Sequence, residues 1–337
     1  MARWFCIVVF DIDLTVEQIL TVYSVVTTGK AFLILSVLFP RGVYQDKVIV
    51  RESLSCESLM EVNYYAGVIG TLSKLIKSCV LRITPGNWYF ILAEKLANGG
   101  IQIWCELPQG HFFDEYAMEG VSKEANEIYL EVAPDNIVKA LKTASNAKWI
   151  KIKLTKKHVP CLTFEIDQPT LSSHSRTVVH DVPVSVIPRR LWEDYEEPEL
   201  PHFDVSIAMP QMKLLKNMID KMKNLSNHMV LSANQNGEMK LSVETDMAAV
   251  STHFRDLINP STLDQVPSSH DSSPERVKDP TEFSKARIDI RKFAQFLSGQ
   301  LVNPTKVICN IVHNKVVHFL LLNEDVSLQY FMPVVAS

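Results

Sequence analysis

Lysine pairs three residues apart occur at three separate places, Lys74 with Lys77, Lys139 with Lys142 and Lys213 with Lys216, and Lys223 follows the third pair. Arg291 and Lys292 stand together at a fourth place. Ammonium and guanidinium groups held on one surface neutralise phosphates, and contacts of that kind read no base sequence. A single lysine pair on a helix is ordinarily a solvated face. Basic sites in equivalent positions of repeated elements would instead fall on one surface, provided that rotation relates the elements. These residues are therefore candidates to face a polyanion, and the test is whether the chain repeats.

Other reactive side chains carry less. No Gly-x4-Gly-Lys-Ser/Thr, Gly-x-Gly-x-x-Gly, His-Glu-x-x-His or Gly-x-Ser-x-Gly motif is present, which removes only the classes those motifs serve. His313 and His318 flank a tight turn, and His228 and His253 take strand positions. A zinc ion would need further Cys or carboxylate ligands that the spacing does not supply. No catalytic residue, metal or cofactor is expected. The six cysteines, Cys6, Cys56, Cys79, Cys105, Cys161 and Cys309, form no short Cys-x-x-Cys pair. They read as reduced core residues of an intracellular protein.

The lysines lie on a repeated unit. Met212, Leu215, Ile219, Met222 and Leu225 fall three or four apart and make one apolar helix stripe, with Lys213, Lys216 and Lys223 on a neighbouring face. Met229, Leu231 and Ala233 then alternate, Asn234 to Gly237 supplies turn chemistry, and Met239, Leu241 and Val243 alternate again, which predicts a β-hairpin. The helix and hairpin recur at Asp135 to Ile166, with the stripe Ile137, Val138, Leu141 and Ala144, and at Arg291 to Leu322, with Phe293, Phe296 and Leu297. A further copy runs from Tyr65 to Leu92, with Val68, Ile69, Leu72, Leu75 and Ile76. One helix on one hairpin buries too little to stand alone, so the copies must share cores. Ile101 to Glu106, Glu127 to Val132 and Arg176 to Ile187 are expected to add strands.

With 337 residues, 47% of them hydrophobic, the chain is long enough for two packed domains. A net charge of -4 leaves any nucleic-acid role to the distribution of charge over faces. The chain divides into an atypical extension over 1–60, a first domain over 61–187, a linker over 188–202 and a second domain over 203–337. The linker joins Pro188, Pro198 and Pro201 to the acidic run from Glu193 to Glu199. Its apolar Ile187, Leu191 and Trp192 suit packing on the second domain, with the acids left in water. Ile258 to Lys285 reads as a solvated loop.

The extension is unlike the rest. Ile19 to Phe39 is apolar but carries Gly29 and Lys30, and its unbroken apolar core is short, so no membrane span is expected. Lys47 to Arg51 is the candidate strand ahead of the first helix. Ile7 to Thr15, an apolar strand ending in Asp11-x-Asp13-x-Thr15, resembles the first motif of haloacid-dehalogenase-type phosphohydrolases. There the first Asp is the nucleophile and the second an acid/base. That chemistry also needs a downstream Lys and a carboxylate pair for Mg²⁺ on a parallel α/β core, which alternating hairpins do not provide. A phosphohydrolase using Asp11 and Asp13 stands as the alternative from another class.

Four β-α-β-β-β modules in two similar domains, an α+β architecture, resemble the DNA sliding-clamp fold of proliferating cell nuclear antigen. Lys95 to Gly100, Ala140 to Ala144, Lys151 to His158, His180 to Pro183, Asn303 to Lys306 and Glu324 to Phe331 are similar to the Hus-type subunit of the heterotrimeric DNA-damage checkpoint clamp, the nine-one-one clamp. The resemblance covers about Tyr64 to Pro333. It implies a non-enzymatic ring subunit, assembled with two Rad-type subunits and loaded around double-stranded DNA by an ATP-driven clamp loader. It also implies signalling to checkpoint kinases, recruitment of repair enzymes, and a nuclear location with the cytoplasm as a second. A tissue-restricted paralogue with altered partners is the nearer alternative. In such a ring the helices would line the hole, so the basic residues from Lys74 to Lys292 would face DNA. Related clamps receive short peptides at the linker, which makes Ile187, Leu191 and Trp192 the partner-groove candidates. The family's first strand starts at the initiator Met, where this chain has some sixty unrelated residues.

Overall fold

The computed structural model describes residues 21–27, 30–36, 53–56, 59–111, 113, 115–118, 120, 125–169, 176–260, 279–299, 304–323 and 326–335. The chain separates into two units, residues 1–47 and 48–337. In the first, Thr21–Thr27 (β1) and Lys30–Ser36 (β2) form an antiparallel hairpin.

In the second unit one pattern runs four times: a lead strand, a helix, and three antiparallel strands. The first module is Ser53–Cys56 (β3), Leu59–Leu75 (α1), Cys79–Ile83 (β4), Asn87–Ala93 (β5) and Gln102–Pro108 (β6), with Glu115–Ala117 (β7) after it. The second is Ile128–Val132 (β8), Pro134–Thr143 (α2), Trp149–Lys156 (β9), Pro160–Gln168 (β10) and Arg176–Pro183 (β11). Ser185–Val186 (β12) and a 3-10 helix, Arg189–Tyr195, lead into the third module. That module is Val205–Ala208 (β13), Met212–Met222 (α3), His228–Ala233 (β14), Met239–Glu244 (β15) and Ala249–Phe254 (β16). The fourth is Ser284–Asp289 (β17), Ile290–Leu297 (α4), Lys306–Val312 (β18), Val316–Asn323 (β19) and Val326–Pro333 (β20).

Each lead strand leaves its own module and pairs in its neighbour's sheet: β3 with β9, β8 with β4, β13 with β18 and β17 with β14. This exchange locks the modules into two halves. The sheet orders are β11-β10-β9-β3-β7, β12-β8-β4-β5-β6-β20-β19-β18-β13 and β16-β15-β14-β17. The nine-stranded sheet spans both halves because β6 pairs antiparallel with β20, from Gln102 opposite Phe331 to Glu106 opposite Ser327. The helices make a row, since α2 packs on α1, α1 meets α4, and α4 packs on α3.

Local chemistry explains the elements. In α3, Leu215, Ile219 and Met222 are buried as the three-to-four spacing requires. In α2, Pro134 starts the helix with φ already suited to it, and Asp135 in the first turn complements the helix dipole. Asp289 caps α4 by accepting from the backbone N–H groups of Arg291 at 2.8 Å and Lys292 at 3.2 Å, worth about 1 kcal/mol. Along β4, Cys79, Leu81 and Ile83 join the core under the helices while Val80 joins a second cluster on the opposite face. The β14–β15 turn needs Gly237, whose φ is 81°, because a Cβ there would lie 2.3 Å from the Leu257 carbonyl oxygen.

The lead strand of the first module lies at Ser53–Cys56 and α1 begins at Leu59, so the domain boundary drawn after residue 60 falls inside α1. With only four residues, two of them serine, β3 carries no readable alternation; it is set by its pairing with β9 and β7. Lys47 to Arg51, Asp11, Asp13 and residues 261–278 lie outside the described residues. Among the described residues no helix is long and apolar enough to cross a membrane.

Candidate nucleic-acid and partner interface

The basic residues fall on all four helices or just beyond them. Lys74 is in the last turn of α1, and Lys77 follows before β4. Lys139 and Lys142 are on α2, Lys213 and Lys216 on α3 with Lys223 at its C-cap, and Arg291 and Lys292 open α4. Lys74, Lys77, Lys139, Lys142, Lys213, Lys223 and Arg291 are exposed, and Lys216 and Lys292 are half-buried.

They are not equally available to an anion. Lys139 pairs with Asp135 at 2.8 Å, and Lys223 with Asp220 at 2.6 Å. The Lys139 ammonium donates to the Asp135 carboxylate and holds that carboxyl below its ordinary pKa. The Lys292 ammonium donates to the Gly99 carbonyl in the other half. Among the described residues, Lys74, Lys77, Lys142, Lys213, Lys216 and Arg291 have no ion pair.

Next to Lys292, Gln295 was missed by sequence reasoning. Its amide donates to the Lys74 and Leu75 carbonyl oxygens at 2.8 and 3.0 Å, capping the C-terminus of α1 from the other half. Thr71 Oγ1 adds a longer bond, 3.4 Å, to the Gly299 carbonyl. A glutamine on an exposed helix position has no sequence signal for such a role.

The linker packs on the first half, opposite to its expected placement. Trp192 stacks on Tyr129 with ring centroids 4.5 Å apart, and its indole N–H donates to the Ile187 carbonyl at 3.0 Å. Both residues join Val80, Ile91 and Trp104 on the sheet face away from the helices. The reason is supply of apolar surface: β4, β5, β6 and β8 each turn a large side chain to that face. Burial there pushes the Tyr129 phenol up to about 12. Ile187 and Trp192 are buried, whereas Leu191 is 39% exposed. The linker reaches the second half at Glu197, which accepts from the Gln329 amide at 2.9 Å, and just beyond it Phe203 stacks on His318 at 5.4 Å.

Among the described residues of the second unit β7, β11, β12, β13, β16 and β17 end sheets, and of these β11 and β16 are each the third strand of a module. The other two third strands, β6 and β20, pair with each other. The sequence hides β16, because Ala249, Val250 and Ser251 are exposed on both faces and no alternation survives.

Over residues 57–336 the chain matches the model of the family described as Hus1-like protein. It belongs to the Hus1-like family. The chain is 52% identical over 275 residues to Checkpoint protein HUS1 of Homo sapiens, covering 82% of this chain and 96% of that protein. It is 30% identical over 243 residues to Checkpoint protein hus1 of Schizosaccharomyces pombe, covering 72% and 83%. Its fold is similar to the proliferating cell nuclear antigen of Entamoeba histolytica, with a TM-score of 0.61 and 11% identity over 86% of this chain and all of that one. The antigen of Thermococcus kodakaraensis gives 0.58 with 14% identity over 85% of this chain and all of that one. The Hus1-like chain thus has the sliding-clamp fold, and the family match begins after Asp11 and Asp13, which leaves the phosphohydrolase alternative without support.

Proposed function

We propose that this chain is a non-catalytic subunit of a heterotrimeric checkpoint clamp that encircles double-stranded DNA, with two Rad-type subunits as its ring partners. The observation that carries the reading is the pairing of module third strands. Within the chain, the third strands β6 and β20 join two halves into one continuous sheet; the other two third strands, β11 and β16, end their sheets with no strand on the outer edge among the described residues. An unpaired edge is a template for another chain, so both ends are suited to the same kind of join with a partner subunit. The similarity to relatives named checkpoint proteins supports a role for that assembly in the DNA-damage response. A clamp loader opens and closes the ring, repair enzymes dock on its outer face near the exposed Leu191, and the site of action is the nucleus.

In this reading the row α2, α1, α4, α3 lines the hole and its lysines meet phosphates. The acidic linker lies on the opposite sheet face, which accommodates a net charge of -4 beside a polyanionic partner. Co-expression with the two partner subunits tests the proposal. Sedimentation at the mass of a 1:1:1 complex, retained on closed circular DNA and released when the DNA is cut, supports it. A chain that stays monomeric beside both partners overturns it.

A further inference from the structure

We infer that the four-stranded sheet β16-β15-β14-β17 uses its face turned away from α3 and α4 to dock a short acidic peptide segment of a partner protein. The inference goes beyond the ring reading, because this surface is neither the helix row nor the linker seat on the first half. Strand register builds it. Met239, Leu241 and Val243 on β15, and Ala286 and Ile288 on β17, are buried in the core under the helices. Alternation therefore turns Lys240 and Ser242, and likewise Lys285 and Arg287, to the opposite face. One row across the strands there reads His253, Lys240, Ser232 and Lys285, and the next reads Ser251, Ser242, Val230 and Arg287. Three cations and a histidine thus share two adjacent rows with no carboxylate.

This charge is not neutralised in place. Lys285 is exposed and Lys240 and Arg287 are half-buried, and among the described residues none of the three has an ion pair. The corresponding sheet of the other half supplies the comparison. There Lys153 pairs with Glu165 and Lys157 with Asp181, both at 2.6 Å. Those acids stand on β10 and β11, whereas the equivalent strands β15 and β16 put Lys240, Ser242, Ser251 and His253 into the two rows. A cationic face kept open on a chain of net charge -4 selects an anionic occupant.

The size of the patch favours a peptide over a duplex. Lys285 and Arg287 are two residues apart on one strand, about 7 Å along the backbone, and Lys240 lies two strands from Lys285, about 10 Å away. An extended peptide sets alternate side chains on one side at the same step of about 7 Å, so acids at positions i and i+2 meet Lys285 and Arg287. Arg287 can hold such a carboxylate with two N–H donors, and the Ser242 and Ser251 hydroxyls add further donors beside it. The patch is also short. Glu238 and Glu244 end it along β15, and Asp289 ends it along β17. A duplex carries one charge about every 1.7 Å and would run onto those carboxylates, whereas a few residues of acidic peptide stay within the two rows.

The test is binding of a fluorescent peptide with glutamates at alternate positions to the full chain at low salt. The triple variant Lys240→Gln, Lys285→Gln and Arg287→Gln should bind it about tenfold more weakly or worse, and wild-type affinity should fall as salt is raised. Lys153→Gln with Lys157→Gln should leave binding unchanged, since acids already hold both ammonium groups. Lysine acylation of the wild-type chain is the readout that needs no variant: bound peptide should shield Lys240 and Lys285 and leave Lys74 and Lys213 on the helix row reactive. Absence of binding, full binding by the triple variant, or shielding of the helix lysines in place of Lys240 and Lys285 overturns the inference. A duplex oligonucleotide that shields Lys240 and Lys285 more strongly than the peptide does overturns it in favour of nucleic acid. None of these outcomes touches the clamp reading, which co-expression with the partner subunits decides.

Discussion

Replacing Lys74, Lys77, Lys142, Lys213, Lys216 and Arg291 together by Ala should weaken clamp retention on DNA and flatten its salt dependence. These side chains have no ion pair among the described residues, so each is free to displace a counterion from the duplex. Each phosphate neutralised contributes roughly 0.9 to the slope of log K against log salt. Removing all six cations would lower the slope by roughly 5, which between 50 and 200 mM salt amounts to about a thousandfold. Replacing Lys139, Lys223 and Lys292 serves as the contrast: Asp135, Asp220 and the Gly99 carbonyl already hold these ammonium groups. Their replacement should change the slope by much less than that of three free lysines. The assay is retention of the assembled clamp on closed circular DNA across a salt series, on two unrelated sequences. A six-residue variant that assembles and keeps the wild-type slope would show that the helix row does not face the duplex. Unequal losses of affinity on the two sequences would contradict a phosphate-only interface.

Trp192→Ala removes a buried, stacked indole and should destabilise the linker seat by about 3 kcal/mol; faster proteolysis at Arg189 and Arg190 checks it, and unchanged cleavage would show that the seat does not depend on the stack. Gln295→Ala deletes the amide that caps α1 from the other half and should cost about 1–2 kcal/mol, read from urea midpoints, with a shift of a few tenths or less counting against an inter-half role. His318 lies 1% exposed between Phe203 and Phe331, and burial lowers its pKa to about 4. Its unfolded pKa is about 6.5, so the unfolded chain binds more protons between those values and stability should fall by roughly 3 kcal/mol as pH drops from 6.5 to 4. His318→Gln should flatten that part of the stability profile, and an unaltered slope would assign the pH dependence elsewhere. A chain that begins at Gln45 should melt and assemble as the full chain does, because residues 1–47 form a separate unit; a large drop in melting temperature would make the extension integral.

What the sequence by itself determined is the content of each module. Periodicity placed Leu215, Ile219 and Met222 inward on α3, and Met229, Leu231 and Ala233 inward on β14, because a side chain's face depends only on its own helix or strand. The fourfold recurrence, the sliding-clamp architecture and the family were therefore legible. Non-local pairing was not. The exchange of lead strands, the β6–β20 join and the exposure of β11 and β16 depend on which edges meet, and the ladder bonds that join them are nearly the same for every sequence. Short β3 and two-sided β16 show no alternation at all. The same limit applies to charge: a lysine reads alike in sequence whether it has no ion pair among the described residues, like Lys142, or is held, like Lys292 on a carbonyl of the other half. The tertiary structure also decided the linker's side. Trp192 signalled burial, but only the assembled face of Val80, Ile91, Trp104 and Tyr129 shows where enough apolar surface lies to receive it.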